Sequence, residues 1–321
     1  MRRIVGAALA AAVIAAPFAA QAESRVTIKS AKAGTSYYVM IVQIGETLRE
    51  ASGGRIQATI EESQGSVQNV KEAARRPGNF IFTTPPTLIE NAKAGKAPFE
   101  GETGYDRIRG LFVMPSLTVQ MVVRADGPVK SWADLAGKQV IPGGRGTACE
   151  GNVKTILSAL GIADKVELVD VELSSANNAL RDDKVAGFGT CSSHPTPNIQ
   201  ELATTMPVRI LSFSADELAK VNAAAPGLSA ISISADTYKG LDGDVSTVAG
   251  LVGAFTTTEM SDDDAYEVTK IFWEKRDVLA KQNPLWAGVT IDLVPGMKTP
   301  LHPGAARYYK EAGVEIPAEM M

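Results

Sequence analysis

Short runs of β-branched residues alternate along the chain with segments that repeat apolar positions at helical spacing. Val26 and Ile28 alternate with polar residues as in a strand, and apolar positions between 37 and 48 then recur every three or four residues. A second unit leads to a helix that begins near Val67, and a third starts at NFIF, residues 79–82. This alternation predicts an α/β fold with a largely parallel sheet covered by helices.

Two apolar segments indicate that the chain crosses between two lobes. The run TVQMVVR at 118–124 is typical of a buried strand, and VSTVAGLVGAF at 245–255 would carry the chain back. A chain of this length exceeds what one hydrophobic core usually organises. We therefore expect lobe I to comprise residues 23–123 plus 247–321 and lobe II to comprise residues 124–246. The two crossing strands would form a hinge with a cleft between the lobes.

The first 22 residues have the pattern of a secretory signal peptide. Arg2 and Arg3 precede an apolar run that ends at the small-residue site Ala20-Gln21-Ala22. An uncleaved membrane anchor fits less well, because the run is Ala-rich, short for a bilayer and followed at once by that site. We expect cleavage after Ala22 and a periplasmic location.

The net charge and the small numbers of histidines and cysteines argue against several classes of function. The net charge is −4, and cleavage would remove two arginines and no acid, which leaves −6. That balance argues against nucleic acid and anionic membrane surfaces as partners. The chain has only two histidines, His194 and His302, and two cysteines, which limits catalytic triads and metal sites.

The segment GGRGTACEGNVKTIL, residues 143–157, places glycines and a lone arginine directly before a predicted helix. Thr147 and Glu150 have the spacing of a capping box, and Gly161 would end the helix. The unpaired N–H groups of a helix start favour an anion, and Arg145 adds donors suited to a carboxylate or phosphate. The alternative is a simple turn in which the capping box satisfies the amides and Arg145 faces water.

Four other strand-to-helix loops have a similar composition. AGTS, SQGS, TTPP and TCSSHPTPN are rich in small hydrogen-bonding residues. In TTPP, Thr84 is placed to cap a helix that begins at Pro85. The loops of an open α/β sheet meet at the carboxyl ends of its strands, where ligands bind. Together with GGRGT, these loops predict a pocket for a small polar acid.

From residue 23 onward the sequence resembles the TAXI branch of the TRAP-transporter solute receptors. The resemblance rests on a spaced set of segments: AGTSYY, GSVQNV, VVR followed by VKSWADLAGKQV, GGRGTACE, HPTP, PVRIL and LHPGAARYYKEAG at 301–313. It implies a two-lobed fold like that of type II periplasmic binding proteins. Such a receptor closes on a small organic anion, of the glutamate, 2-oxo acid or dicarboxylate class, and delivers it to the membrane subunits of a TRAP permease. We expect a monomer without a cofactor. Sensing for a sensor kinase remains an alternative to transport.

The resemblance also implies which residues bind the ligand. The matching positions are Gly34, Thr35 and Tyr38 in the first loop, Ser66 and Asn69 in the second, Gln120 on the crossing strand, Gly146, Thr147 and Glu150 in the third, and Pro195 and Pro197 in the HPTP segment.

The sequence departs from the family pattern at four places. Ser36 replaces a glycine, and Phe82-Thr83-Thr84-Pro85 replaces a VQSD segment, so that an amide and an acid are lost. Arg145 replaces a proline and His194 replaces an aromatic residue. We expect Thr83, Thr84, Arg145 and His194 to belong to the site. The loss of the acid and the gain of Arg145 and His194 favour a more anionic ligand, such as a dicarboxylate or a sulfonated or phosphonated acid.

The two cysteines, Cys149 and Cys191, lie in two of these loops. In an exported protein they would form a disulfide that closes a loop of about 40 residues, or remain as two separate buried thiols. A different hypothesis makes Cys149 the nucleophile of a hydrolase with His194 as its base. No GxSxG signature supports it, and Cys191 with His194 lacks a second pair for zinc. We therefore expect a binding protein with no catalytic residue and no metal.

Overall fold

A computed structural model of the protein describes residues 23–321, so the predicted signal peptide lies outside the described residues. The described chain forms ten strands and nine α-helices. The strands are β1 Ser24–Lys29, β2 Ile56–Glu61, β3 Phe80–Thr84, β4 Ile108–Arg124, β5 Gln139–Ile141, β6 Glu167–Leu168, β7 Gly187–Ser192, β8 Val208–Ile210, β9 Leu228–Ile233 and β10 Val245–Thr257. The helices are α1 Ser36–Ala51, α2 Ser66–Ala73, α3 Pro86–Lys93, α4 Ala148–Ala159, α5 Ala176–Arg181, α6 Pro197–Thr205, α7 Ala215–Ala224, α8 Asp262–Gln282 and α9 Pro303–Glu311. None of these helices is long and apolar enough to cross a membrane.

The strands join in one sheet with the order β2-β1-β3-β10-β4-β7-β5-β6, while β8 pairs with β4 and β9 pairs with β10. The outer strands pair in parallel, β1 with β2 and β3, and β5 with β6 and β7. β4 and β10 pair antiparallel with each other and with their other neighbours. The predicted parallel sheet is therefore right for the outer strands and wrong for the centre. In the centre, β4 carries the chain out of one half of the molecule and β10 carries it back alongside, so these two strands run in opposite directions.

β4 and β10 run through both halves of the molecule. β4 pairs with β10 from Ile108 onward and with β7 over 118–123. β10 pairs with β9 over 245–250 and with β3 over 253–255. The predicted crossing strand is therefore the second part of a 17-residue strand. The architecture is a two-lobed α/β fold with a hinge of two crossing strands, as expected.

Buried apolar side chains divide into clusters on either side of this hinge. One cluster draws on residues between 26 and 117 and between 252 and 320. Two others use residues between 119 and 248. On this basis we propose the division into lobe I and lobe II that the sequence predicts.

Local signals in the sequence explain where the helices begin. The predicted apolar face of α1, from Tyr37 to Leu48, is buried. Thr147 caps α4, since its Oγ1 accepts a hydrogen bond from the Glu150 N–H at 3.2 Å. The capping box is only half formed, because the Glu150 carboxylate pairs with Lys154 at 2.6 Å instead of returning to the cap. Gly161 follows the helix with φ +70°, as predicted.

The start of α3 differs from the prediction by one residue. Pro85 is the N-cap with an extended backbone, and Pro86 is the first helical residue. The cause is the second proline, because a residue that precedes proline is driven out of the helical region.

Candidate functional site

A cavity of about 50 Å³ lies between the two lobes. All five predicted loops contribute to its wall. Their contributing residues are Thr35, Gln64, Gly65, Ser66, Thr83, Gly143, Thr147, Cys191 and Ser192. The convergence of strand ends that the sequence predicts therefore brings both lobes to one site.

Three helices begin at this cavity. Thr35 caps α1, and its Oγ1 accepts a hydrogen bond from the Tyr38 N–H at 3.3 Å. Thr147 caps α4 in the same manner. α2 begins after Gly65, which has φ +131° and offers no side chain to cap the helix. Because the first N–H groups of a helix have no partner within it, the three helix starts create a potential that favours an anion.

Lys32 is the cation in the cavity wall, and the sequence analysis missed it. Its Nζ lies 3.2 Å from Glu172 Oε2, which belongs to lobe II. Gln64 Nε2 also donates to Glu172, at 3.0 Å. Lys32 and Gln64 together hold the pKa of the Glu172 carboxyl below its usual range. In the sequence, only the position of Lys32 indicates that it belongs to the site, because it lies between the end of β1 and the cap of α1.

The amide of Asn69 is fixed beside the first turn of α2. Its Nδ2 donates to the carbonyls of Ser30 at 3.2 Å and Thr83 at 3.1 Å. The side chain lines the cavity and is 1 % exposed. Its Oδ1 has no hydrogen-bond partner among residues 23–321.

Apolar groups form the remaining wall. Leu117 and Val252 come from the two crossing strands, and Leu173 comes from lobe II. The ring of Tyr37 lies beside them, and its hydroxyl donates to the Pro115 carbonyl. Burial raises the pKa of Tyr37 above its ordinary value, so the phenol stays neutral. The cavity wall thus combines the polar groups of three helix starts with a surface of apolar side chains.

A disulfide between Cys149 and Cys191 forms part of this wall, with the Cα atoms 5.2 Å apart. It joins the start of α4 to the end of β7. Gly143 passes directly beside it, and a Cβ at this position would lie 2.4 Å from the Cys149 Cβ. Only glycine fits here, so the loop before α4 and the disulfide fix each other's position.

The same bond removes the nucleophile of the hydrolase hypothesis. Cys149 is bonded to Cys191, so it has no thiolate to offer. His194, the proposed base, lines a different opening and places Nδ1 3.0 Å from Thr118 Oγ1. Burial lowers the pKa of His194, which favours the neutral ring. Among the described residues, no group of three or more His, Cys, Asp and Glu side chains is placed to hold a metal ion.

The structure brings five of the fifteen predicted ligand-binding residues to the cavity, namely Thr35, Ser66, Asn69, Thr83 and Thr147. The other ten are not part of its wall: Gly34, Tyr38, Thr84, Gln120, Arg145, Gly146, Glu150, His194, Pro195 and Pro197.

Arg145 and Gln120 have partners outside the cavity. The Arg145 side chain is 70 % exposed, and its Nη2 lies 2.9 Å from Asp170 Oδ2. Gln120 is fully buried, and its amide donates to Thr196 at 3.0 Å and to the Ser192 carbonyl at 3.2 Å. The first residue lies at the surface and the second holds the hinge region together.

Gly34 and Gly146 join the lobes through their carbonyl groups. The Val67 N–H donates to the Gly146 carbonyl at 3.2 Å, and the Asn198 N–H donates to the Gly34 carbonyl at 3.1 Å. Each bond links one lobe to the other. These two glycines therefore contribute to lobe closure at the edge of the cavity.

A second opening, which we call the hinge groove, lies on the opposite face of β4. It has a volume of about 640 Å³ and is lined in part by Ser116, Thr118, His194 and Pro195. Leu117, between Ser116 and Thr118, lines the cavity instead, because successive side chains of a strand point to opposite faces. This alternation places the side chains of Ser116 and Thr118 beside the HPTP segment, away from the cavity.

The fold is shared with several solved structures. The periplasmic binding protein BugD is 15 % identical with a TM-score of 0.56, over 91 % of this chain and 99 % of BugD. MatC from Rhodopseudomonas palustris, solved with bound malate, is 15 % identical with a TM-score of 0.57, over 83 % of this chain and 90 % of MatC. These likenesses define the class of architecture, which is the two-lobed fold of periplasmic binding proteins.

The sequence assigns the chain to a family. The profile of the NMT1-like family matches residues 28–313, which is most of the chain. The protein therefore belongs to the NMT1-like family.

Proposed function

We propose that the protein is a periplasmic solute-binding receptor of the TAXI branch. It captures a small organic acid between its lobes and delivers it to a TRAP-type membrane permease. One observation carries the proposal: three helix starts and Lys32 surround a small cavity between two lobes. A carboxylate is the group that such a site stabilises.

The size of the cavity supports a receptor that opens and closes. Its volume of about 50 Å³ is well below the roughly 300–1,000 Å³ of common ligand pockets. Access for an acid therefore requires the lobes to separate, which breaks the bonds at Gly34 and Gly146 together with the contacts of Glu172 to Lys32 and Gln64. The bound malate named for MatC supports a small organic acid as the ligand class.

The proposal includes export and the monomeric state. Cleavage after Ala22 would release residues 23–321 into the periplasm, where the Cys149–Cys191 disulfide forms in an oxidising compartment. Each receptor would present its two closed lobes to the permease as a monomer.

The test is thermal melting of residues 23–321 against amino acids, 2-oxo acids, dicarboxylates, aromatic acids and sulfonates at matched ionic strength. A ligand present at a thousand times its Kd adds about 4 kcal/mol to stability, which is a shift of several degrees. We expect one acid class to raise the Tm. Native mass spectrometry on the purified protein checks for a ligand carried from expression. If no acid raises the Tm and none is carried, the receptor proposal is wrong.

A further inference from the structure

We infer that Asn69 selects a ligand with a hydrogen-bond donor next to its carboxylate, so that the site takes 2-hydroxy or 2-amino acids in preference to 2-oxo or unsubstituted acids. The inference rests on the proposed function and names the ligand class of that same site.

The orientation of the Asn69 amide is set by its neighbours. Both of its N–H protons go to backbone carbonyls, those of Ser30 and Thr83. A carbonyl cannot donate, so the atom that faces these two groups must be Nδ2 and the other must be Oδ1. The amide therefore carries a free acceptor, and its residue lines the cavity wall.

That acceptor lacks a partner in the folded chain. Oδ1 is buried and accepts no hydrogen bond from residues 23–321. A buried acceptor left unpaired costs free energy, and a ligand that supplies a donor recovers it. A ligand that brings a second acceptor, such as a keto oxygen, would add repulsion instead.

The position of Asn69 fixes where on the ligand the donor belongs. Asn69 lies three residues after Ser66, the first residue of α2, and helical side chains lean toward the helix N-terminus. The Val67 N–H is taken by the Gly146 carbonyl, so the Ser66 N–H and the Asn69 amide are the groups that address neighbouring ligand atoms. With the carboxylate on the helix start, the adjacent carbon carries the donor.

The residues that line the cavity do not favour a second acidic group on the ligand. The more anionic ligand predicted from the sequence depends on Arg145 and His194, and neither lines the cavity. Lys32 does line it, and as a single cation already shared with Glu172 at 3.2 Å it accounts for one ligand carboxylate and not for two. The unsatisfied group in the wall is an acceptor, and this favours a donor on the ligand over another anion.

The experiment measures Kd by calorimetry for acids that share a skeleton and differ at carbon 2. The sets are lactate, pyruvate and propionate; malate and succinate; and glutamate, 2-oxoglutarate and glutarate, with both enantiomers of each chiral acid. For the skeleton that binds, we expect the donor-bearing acid to bind about tenfold or more tightly than its partners. Equal affinity within that skeleton overturns the inference and leaves the receptor proposal intact. Failure of all these acids, together with a flat thermal panel, overturns both.

Two variants locate the effect. Asn69→Leu removes the acceptor at similar volume and should bring the preference to within about twofold. Asn177→Leu is the matched control, because Asn177 also donates to a backbone carbonyl, has an unpaired buried Oδ1 and lies outside the cavity wall. Its preference should equal that of the wild type. A preference that persists in folded Asn69→Leu contradicts the assignment. If Asn69→Leu does not fold, the wild-type ratio decides alone.

Discussion

Lys32 in lobe I and Glu172 in lobe II form an ion pair across the edge of the cavity, with Nζ 3.2 Å from Oε2. Glu172 also accepts a hydrogen bond from Gln64 of lobe I at 3.0 Å. One carboxylate thus holds two loops of the opposite lobe, and separation of the lobes would break both contacts.

Glu172→Gln should shift the ligand-free protein toward the open form. The amide loses the charge that attracts Lys32, and because Glu172 is exposed the equilibrium should change by no more than roughly fivefold. Small-angle scattering should then give a larger radius of gyration. Asp170→Asn is the control, because Asp170 pairs with Arg145 away from the cavity. Equal shifts in both variants would show that the pair does not control closure.

Lys32 and Arg145 should differ sharply in their effect on ligand affinity. Lys32 lines the cavity, whereas Arg145 is exposed and paired with Asp170. We expect Lys32→Gln to weaken binding of the acid that raises the Tm by about tenfold, since a bond to a charged group is lost. Arg145→Gln should stay within about twofold. Calorimetry on both variants decides, and the reverse order would restore the arginine as the ligand contact.

Gly143→Ala should destabilise the protein by about 3 kcal/mol. The new Cβ would lie 2.9 Å from the Cys149 backbone carbon, which cannot move aside, and φ is +131°. Gly161→Ala is the control, since Gly161 has φ +70° and no atom within 4 Å of the added Cβ. It should cost about 1 kcal/mol. Urea unfolding measures both, and equal costs would mean that backbone strain alone matters.

Replacing both cysteines by alanine should lower the free energy of unfolding by about 4 kcal/mol, because the disulfide closes a loop with a sequence separation of 42. Alkylation of the native protein without reductant, followed by intact-mass measurement, should find no free thiol. Two alkylated thiols in the native protein would contradict the bridge. A double variant as stable as the wild type would show that the bridge adds nothing to stability.

His302 should make the protein less stable below about pH 6.5, the ordinary pKa of histidine. Its Nδ1 accepts from the Gly304 N–H at 3.3 Å and its other nitrogen bonds the Met260 carbonyl at 3.0 Å. Burial lowers the pKa of the folded ring, so the unfolded state takes up more protons as the pH falls. The stability is therefore present above pH 6.5 and lost below it.

The measurement for His302 is the unfolding free energy at pH 7 and pH 5 for the wild type and His302→Asn. Asparagine can still cap α9 but does not titrate in this range. The loss between the two pH values should be smaller in the variant, by at most about 1.4 kcal/mol per pH unit. A loss as large as that of the wild type would assign the effect to other groups.

The sequence predicts those parts of the fold that depend on neighbouring residues. The cap at Thr147 and the helix stop at Gly161 follow from local chemistry and are confirmed. The full length of β4 is not local, because its first part is defined by pairing with β10, more than a hundred residues later. The antiparallel centre was missed for the same reason.

The site shows a similar division. Convergence of the five loops follows from the topology of α/β sheets and is seen in the cavity. The position of a loop does not determine the direction in which each of its side chains points. Tyr37 lines the cavity while Tyr38 does not, which is a difference of one helical position. Arg145 is held at the surface by Asp170, and the residues next to Arg145 in the sequence do not indicate that it has this partner.

The place of β10 in the sheet has a consequence for the order in which the molecule can assemble. β10 lies between β3 and β4 although it is the last strand of the chain. The Thr256 hydroxyl donates to the Phe80 carbonyl, 176 residues earlier. Lobe II is one continuous segment and can form from near contacts, whereas lobe I needs both ends of the chain. In the proposed division we therefore expect the completion of lobe I to be the slower event in folding.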